Sequence, residues 1–444
     1  MRLALISGFL LAFAHQAVKA QEANCTNPLN SGCANTAATC GANPSVCCSS
    51  NDGCSKCGGC GHCFNWGENT FLKVGAGIRA SYNSIEAGNP NGGTRQDFNI
   101  NNARLYFSGQ GHERIGFEFN TDINNAQGFD LHGSGFGSMD EGEMRILDAV
   151  LKFQLTDNVH LWMGRFLPPS DRSNLSGPFF INAWNFPFAQ FGFPNIFQGR
   201  DDGASLWGEY GGGVFKWQVG LFEGESAGGP EFIGHPATDN LMFTGRLVLN
   251  LLDPEPGYYN FSTYYGEKDV LAVAASVMHR QDALVDATGA GQADSTGWNI
   301  DVLFERKLSN CGVVTLEGAY YDFNDNNGVA VIDPALGPIP VTLPPSGGPR
   351  QGESYFLLGS YLFPGKFCFL NVKGQFQVMG RYQEFKRDAV ASAAGGTDDQ
   401  LDLQLNYIMF GHNARISAVW SQLDSDIAGV SDLETLTLGT QVQF

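Results

Sequence analysis

The chain has 444 residues, among them 57 glycines and 34 phenylalanines, and only 16% of its residues are charged. Its formal net charge of −19 excludes a nucleic-acid partner, which would need a basic footprint.

Residues 1–20 read as a secretory signal peptide. Arg2 supplies the positive start, Leu3 to Phe13 the short apolar core, and Val18-Lys19-Ala20 the small-x-Ala cleavage pattern, so the exported chain is expected to begin at Gln21. An uncleaved anchor is the competing reading, but a helical span needs ~20 apolar residues and this core is short. No later stretch reads as a transmembrane helix. A membrane protein of this kind must cross as a closed β-barrel, in which the strands satisfy each other's backbone groups.

Residues 21–64 hold nine of the eleven cysteines and almost no large apolar side chains. Cys54, Cys57, Cys60 and Cys63 follow one another at a uniform C-x2-C spacing. Thiolates so spaced can wrap a zinc ion or an iron–sulfur cluster. The same cysteines can equally be disulfide staples, because the exported compartment is oxidising and a short segment without a core is commonly stapled. Cys25, Cys33, Cys40, Cys47 and Cys48 read as such a scaffold. His62 precedes Cys63, so no C-x-x-C-H haem attachment exists. Apart from this one candidate metal set, no cofactor is expected.

From about residue 65 to 444 the pattern alternates with a period of two. Val372, Phe376, Val378 and Tyr382 share one face, while Lys373, Gln375, Gln377 and Arg381 share the other. Phe215, Trp217, Val219 and Leu221 oppose Lys216 and Gln218 in the same way. Sixteen such segments can be read, the first from Phe71 and the last from Leu433. The links between them are alternately long and short, as in a barrel with long outer loops and short periplasmic turns. The link over 250–268 breaks the rhythm, being long where a short turn is expected. The fold class is therefore all-β, a sixteen-stranded antiparallel transmembrane barrel with a small Cys-rich N-terminal segment, residues 21–64, at the periplasmic mouth. The last strand alternates from Leu436 up to its aromatic end, Phe444.

Strand parity places Arg104, Arg114, Lys152, Lys216, Arg246, Lys373, Arg381 and Arg415 inside the barrel, together with acids such as Glu118, Asp148, Asp301 and Asp402. The link over 167–202 carries Phe179, Phe180, Trp184, Phe186, Phe188, Phe191, Phe193 and Phe197. So many aromatics are costly in water, and the link is expected to fold into the barrel and narrow it, the alternative being an exposed patch for a partner or subunit contact. Arg172, Arg200, Asp171 and Asp201 are then the candidate constriction residues.

Asp148-Ala149-Val150-Leu151, Leu155-Thr156-Asp157-Asn158, Gly164-Arg165-Phe166-Leu167-Pro168-Pro169 and Gly199-Arg200-Asp201-Asp202-Gly203 resemble the phosphate-selective porins of the O and P type. That resemblance implies a sixteen-stranded channel, a homotrimer, and a preference for anions. The acidic composition and the Cys-rich segment depart from the family pattern. The leading expectation is an outer-membrane porin, in contact with outer-membrane lipid, through which small hydrophilic solutes or ions diffuse passively. Two others stand beside it: an electron-transfer or metal-handling barrel with a periplasmic redox partner such as a cytochrome, and a structural surface barrel. No G-x-S-x-G, H-E-x-x-H or phosphate-binding loop occurs, so an enzyme is not expected.

Overall fold

The computed structural model describes residues 62–67, 69–86, 93–123, 144–187, 199–224, 240–286, 292–324, 326, 328–329, 351–369, 372–388, 395–426 and 432–444. Sixteen long strands form an antiparallel sheet closed on itself: β1 (Thr70–Glu86), β2 (Arg95–His112), β3 (Ile115–Ile123), β4 (Met144–Gln154), β5 (Val159–Phe166), β6 (Asp201–Tyr210), β7 (Phe215–Phe222), β8 (Met242–Asn250), β9 (Val270–Asp286), β10 (Gln292–Lys307), β11 (Val313–Asn324), β12 (Gly352–Leu362), β13 (Val372–Arg387), β14 (Gly396–Ile408), β15 (Ala414–Ser425) and β16 (Leu433–Gln443). Three shorter pieces, His62–Gly67, Gly328–Val329 and Phe367–Phe369, pair onto its margins. The largest departures from the expected starts are Gln292 for Trp298 and Gly396 for Gln400.

Closure is made by β16 and β1, in register from Glu434↔Glu86 to Gln443↔Gly77. Phe444 and Ala76 then exchange both backbone hydrogen bonds, at 2.9 and 3.0 Å. His62–Gly67 continues the seam beyond that point by pairing with the start of β1.

The alternation explains why these residues choose strands. In β16, Thr435, Thr437, Gln441 and Gln443 are buried while Leu436, Leu438 and Val442 are exposed. A water-soluble sheet would do the opposite. A polar inside and an apolar outside fit a barrel whose outer surface meets lipid. No helix among the described residues is long and apolar enough to cross a membrane; the strands are the spanning elements. At the end carrying both termini of the barrel most connections are tight. Gly211, Gly212 and Gly213 all have positive φ (64°, 65° and 99°), which lets β6 reverse into β7 without strain.

The exceptional link between β8 and β9 now has a physical account. Residues 251–269 do not hang outside but turn up into the barrel, burying Glu255, Tyr258, Asn260, Ser262 and Thr263 against the inner wall. Glu305 anchors its far end, accepting from Thr263 Oγ1 (2.7 Å), Tyr264 N (3.0 Å) and Gly266 N (2.8 Å).

Candidate functional site

Two segments occupy the lumen and enter it from opposite ends. The first leaves β5 at Phe166. A short helix, α1 (Arg172–Ser176), is capped by Asp171, whose carboxylate accepts from Asn174 N at 3.3 Å and from the Tyr321 hydroxyl at 3.0 Å. Burial, with Asp301 beside it, pushes the Asp171 carboxyl up to about 6. After α1 the chain crosses to the far wall. Arg415 donates to the carbonyls of Ile181, Asn182 and Ala183 at 3.0 to 3.2 Å. Gln404 accepts from Trp184 N at 2.9 Å, and Arg381 donates to Asn185 O at 2.7 Å. The Arg79 guanidinium covers the Trp184 ring 4.1 Å from its centroid. Two wall glycines make room for this crossing. A Cβ at Gly77 would stand 2.8 Å from Phe179, and one at Gly439 would stand 2.5 Å from Trp184.

The second segment is the 251–269 insertion. Arg172 joins the two with a bidentate ion pair to Glu255, at 2.8 and 2.7 Å, both partners almost fully buried. Arg172 also donates to Phe261 O at 2.7 Å. Ser262 N donates to Phe180 O, and the Tyr258 hydroxyl to Leu167 O at 2.9 Å. Burial alone would raise the Glu255 carboxyl, but the Arg172 guanidinium outweighs it and holds that group at about 2. Tyr258 stacks on Trp162 (centroids 4.5 Å apart) and meets Trp207 edge-on. This half of the lumen is packed with rings and belongs to the largest buried apolar cluster.

The other half stays open. A cavity of about 140 Å³ lies between the two lumen segments and the wall made by β1 to β4. Its wall side carries Arg104, Glu118 and Asp148, and Arg200 reaches it from the link before β6. Its inner side presents Phe180, Tyr259 and Phe261. The charges are compensated in pairs: Arg104 with Asp122, Arg200 with Asp148 (3.2 Å) and Lys152 with Glu118. Asn120 bridges Glu118 and Asp148 at 2.8 and 2.9 Å.

The sequence-derived residues divide into three groups. Arg104 and Arg200 line the open cavity, and Lys152 sits beside it over the Trp162 ring. Arg172, Lys216, Arg246, Arg381 and Arg415 point inward but are covered. Lys216 donates to Gly257 O at 2.9 Å, Arg246 is bidentate to Asp301 at 2.6 and 3.0 Å, and Arg381 pairs with Asp402 at 2.8 Å. The third group stands at the rims of the barrel. Arg114 is a correction: it lies exposed in the turn between β2 and β3, donating to Leu155 O at 3.2 Å, because β3 begins one residue later. Lys373 is exposed at the short-turn rim, opposite Cys368. Asp201 accepts from the backbone of Gly224 at 2.6 Å and Asp202 at 2.8 Å, so it ties the rim of β6 together. Reasoning from the sequence missed Glu255 and Tyr258. The signal was present in Tyr258, Tyr259, Phe261, Tyr264 and Tyr265, an aromatic content as costly in water as that of the 167–202 link.

Phe179, Phe180, Trp184 and Phe186 of that link lie inside the barrel, whereas Phe188, Phe191, Phe193 and Phe197 lie outside the described residues, as do residues 21–61 with Cys54, Cys57 and Cys60. Cys63 and Cys311 are disulfide-bonded, and Cys368 is a free, exposed thiol. A disulfide at Cys63 removes its thiolate from a zinc or iron–sulfur set over Cys54, Cys57, Cys60 and Cys63. No cluster of metal-ligating side chains occurs among the described residues.

The family motifs acquire a geometric reason. Gly164 is paired with Val150 and has φ of 127°, and a Cβ there would lie 2.1 Å from Ala149 O. Only glycine lets Gly164-Arg165-Phe166 run this close to Asp148-Ala149-Val150-Leu151.

No curated protein matches the chain. Its fold is similar to an anion-selective porin from Comamonas acidovorans (TM-score 0.52, 12% identity, 84% of this chain and 100% of that one). It is also similar to OprB of Pseudomonas putida (0.54, 10%, 85% and 94%) and to OmpF of Salmonella typhi solved with daunomycin (0.54, 12%, 85% and 98%). Residues 72–177 match the family model of the phosphate-selective porins O and P, and they do so within a closed sixteen-stranded barrel of the outer-membrane porin fold.

Proposed function

We propose that this barrel is a passive diffusion channel of the outer membrane for small hydrophilic solutes and ions, and that they cross through the crescent between the lumen segments and β1 to β4. The observation that carries this reading is the asymmetry of the lumen. One half is packed with rings, and the other keeps a cavity walled by Lys73, Arg104, Arg200, Glu118 and Asp148. A pore reads the charges on its wall at the narrowest point, so these five residues and the aromatic rings opposite set what passes. Arg172 and Asp171 serve the path indirectly, by fixing the segment that bounds it. The family resemblance adds a homotrimer to the proposal, and the outward run of the first strand from the end with short turns supports a periplasmic position for residues 21–64. Nothing in the geometry favours electron transfer or a purely structural barrel.

Planar-bilayer recording with reversal potentials in a salt gradient tests the reading. Stable unitary conductance is the expected result. Correctly folded, heat-modifiable protein that conducts nothing would overturn it, and chemical cross-linking in detergent would report the trimer.

A further inference from the structure

The charge pattern of the crescent bears on what it carries, and the argument here rests on the channel reading. On the barrel wall stand donors and acceptors in close alternation. Lys73, Arg104 and Tyr106 line the cavity on this wall. Glu118 and Asp148 line the same wall. An anion could meet Lys73, Arg104 and Arg200 but would face two carboxylates. A cation could meet the carboxylates but would face Arg104 and Arg200. Coulombic repulsion of this kind, at contact distance in a narrow lumen, penalises either sign. A hydroxyl group escapes the conflict, since it accepts from one neighbour and donates to the next.

The opposite side of the cavity narrows the class further. Phe180 and Phe261 lie with ring centroids 5.0 Å apart and 34° between their planes, and Tyr259 lines the cavity beside them. Aromatic faces offer apolar area and a negative surface to C–H groups. A solute that turns hydroxyls to one wall and C–H bonds to the other fits both sides.

We infer that the crescent is selective for small, neutral, polyhydroxylated ring solutes, sugars in chemical terms, with weak ion preference. The wall of Arg104, Tyr106, Glu118 and Asp148 takes the hydroxyls, and Phe180, Tyr259 and Phe261 take the ring face.

Block of the potassium chloride current in planar bilayers tests this with glucose, tetraethylene glycol and inorganic phosphate as probes, on the full chain. Glucose is expected to half-block at a concentration about tenfold below that of the glycol, a ratio equal to ~1.4 kcal/mol of extra contact. Phosphate is expected not to block, and the reversal potential is expected to stay near zero. Phe261→Leu should raise the half-blocking glucose concentration by about tenfold. The same variant should keep its wild-type heat-modifiability and its half-blocking glycol concentration, which guards against a folding defect. Equal block by glucose and glycol, or block by phosphate with an anion-selective reversal potential, overturns the inference and leaves the channel standing. A wild-type chain with no conductance removes the channel reading and this inference with it.

Discussion

The Arg172–Glu255 pair is the joint between the two lumen segments, and Glu255→Ala probes it. The substitution deletes two charge-assisted bonds at 2.8 and 2.7 Å and the Tyr264 hydroxyl bond at 2.6 Å. It leaves Arg172 and Lys216 buried, 1% and 0% exposed, without their carboxylate. Removing one member of a buried pair costs about 3–5 kcal/mol. Arg172 keeps Phe261 O at 2.7 Å and Asp301 at 3.7 Å, which puts the loss toward the lower bound, about 3 kcal/mol. That loss multiplies the population of the undocked insertion roughly 150-fold. Single-channel records of the variant should show brief excursions to a larger conductance, as the ring-filled half opens. Acrylamide should quench the indoles of Trp162 and Trp207 more strongly. Replacing both partners, Arg172→Met with Glu255→Leu, should restore the quiet trace, since a well-packed apolar pair is often neutral or better. The pH dependence has a definite sign. Glu255 is held at about 2, below the ~4.3 of a free glutamate, so its contribution is complete above that value and is lost as the pH falls toward 2. Excursions should stay rare from neutrality down to about pH 4 and rise below it. Glu255→Ala channels with wild-type conductance, noise and quenching would refute the claim that this pair holds the insertion.

Trp184→Ala should free the 167–187 segment from the wall at a cost of about 3–5 kcal/mol and raise the unitary conductance. Gly439→Val should give the same larger pore without touching that segment, because its Cβ would collide with the Trp184 ring. Gly164→Ala forces an L side chain into φ of 127° and against Ala149 O, so heat-modifiability gels should show failed barrel assembly rather than an altered pore. Thiol mapping by mass spectrometry should find Cys368 alkylated in untreated protein, with Cys63 and Cys311 labelled only after reduction.

The period of two, the tight turns and the chemistry of lipid determined the barrel from the sequence alone. Once a polar inside and an apolar outside are imposed, Arg381 and Gln377 must face in and Val378 and Tyr382 out, because neighbouring Cβ atoms point to opposite faces. The fate of the 167–202 link was legible for a related reason, since its aromatics needed burial and the lumen was the nearest place. What parity cannot tell is whether an inward charge is free. Arg415, Arg246 and Lys216 all face in, yet each is taken by a partner from a distant part of the chain: the 181–183 carbonyls, Asp301 and Gly257 O. Those pairings depend on how two links of unrelated sequence position meet inside the barrel. Contact between residues such as Arg172 and Glu255, 83 positions apart, leaves no periodic trace. Only the tertiary structure decided that half of the lumen is filled and that the remaining cavity is ring-walled and lined by charges of both signs, because that lining comes from side chains brought together by packing rather than by spacing along the strands.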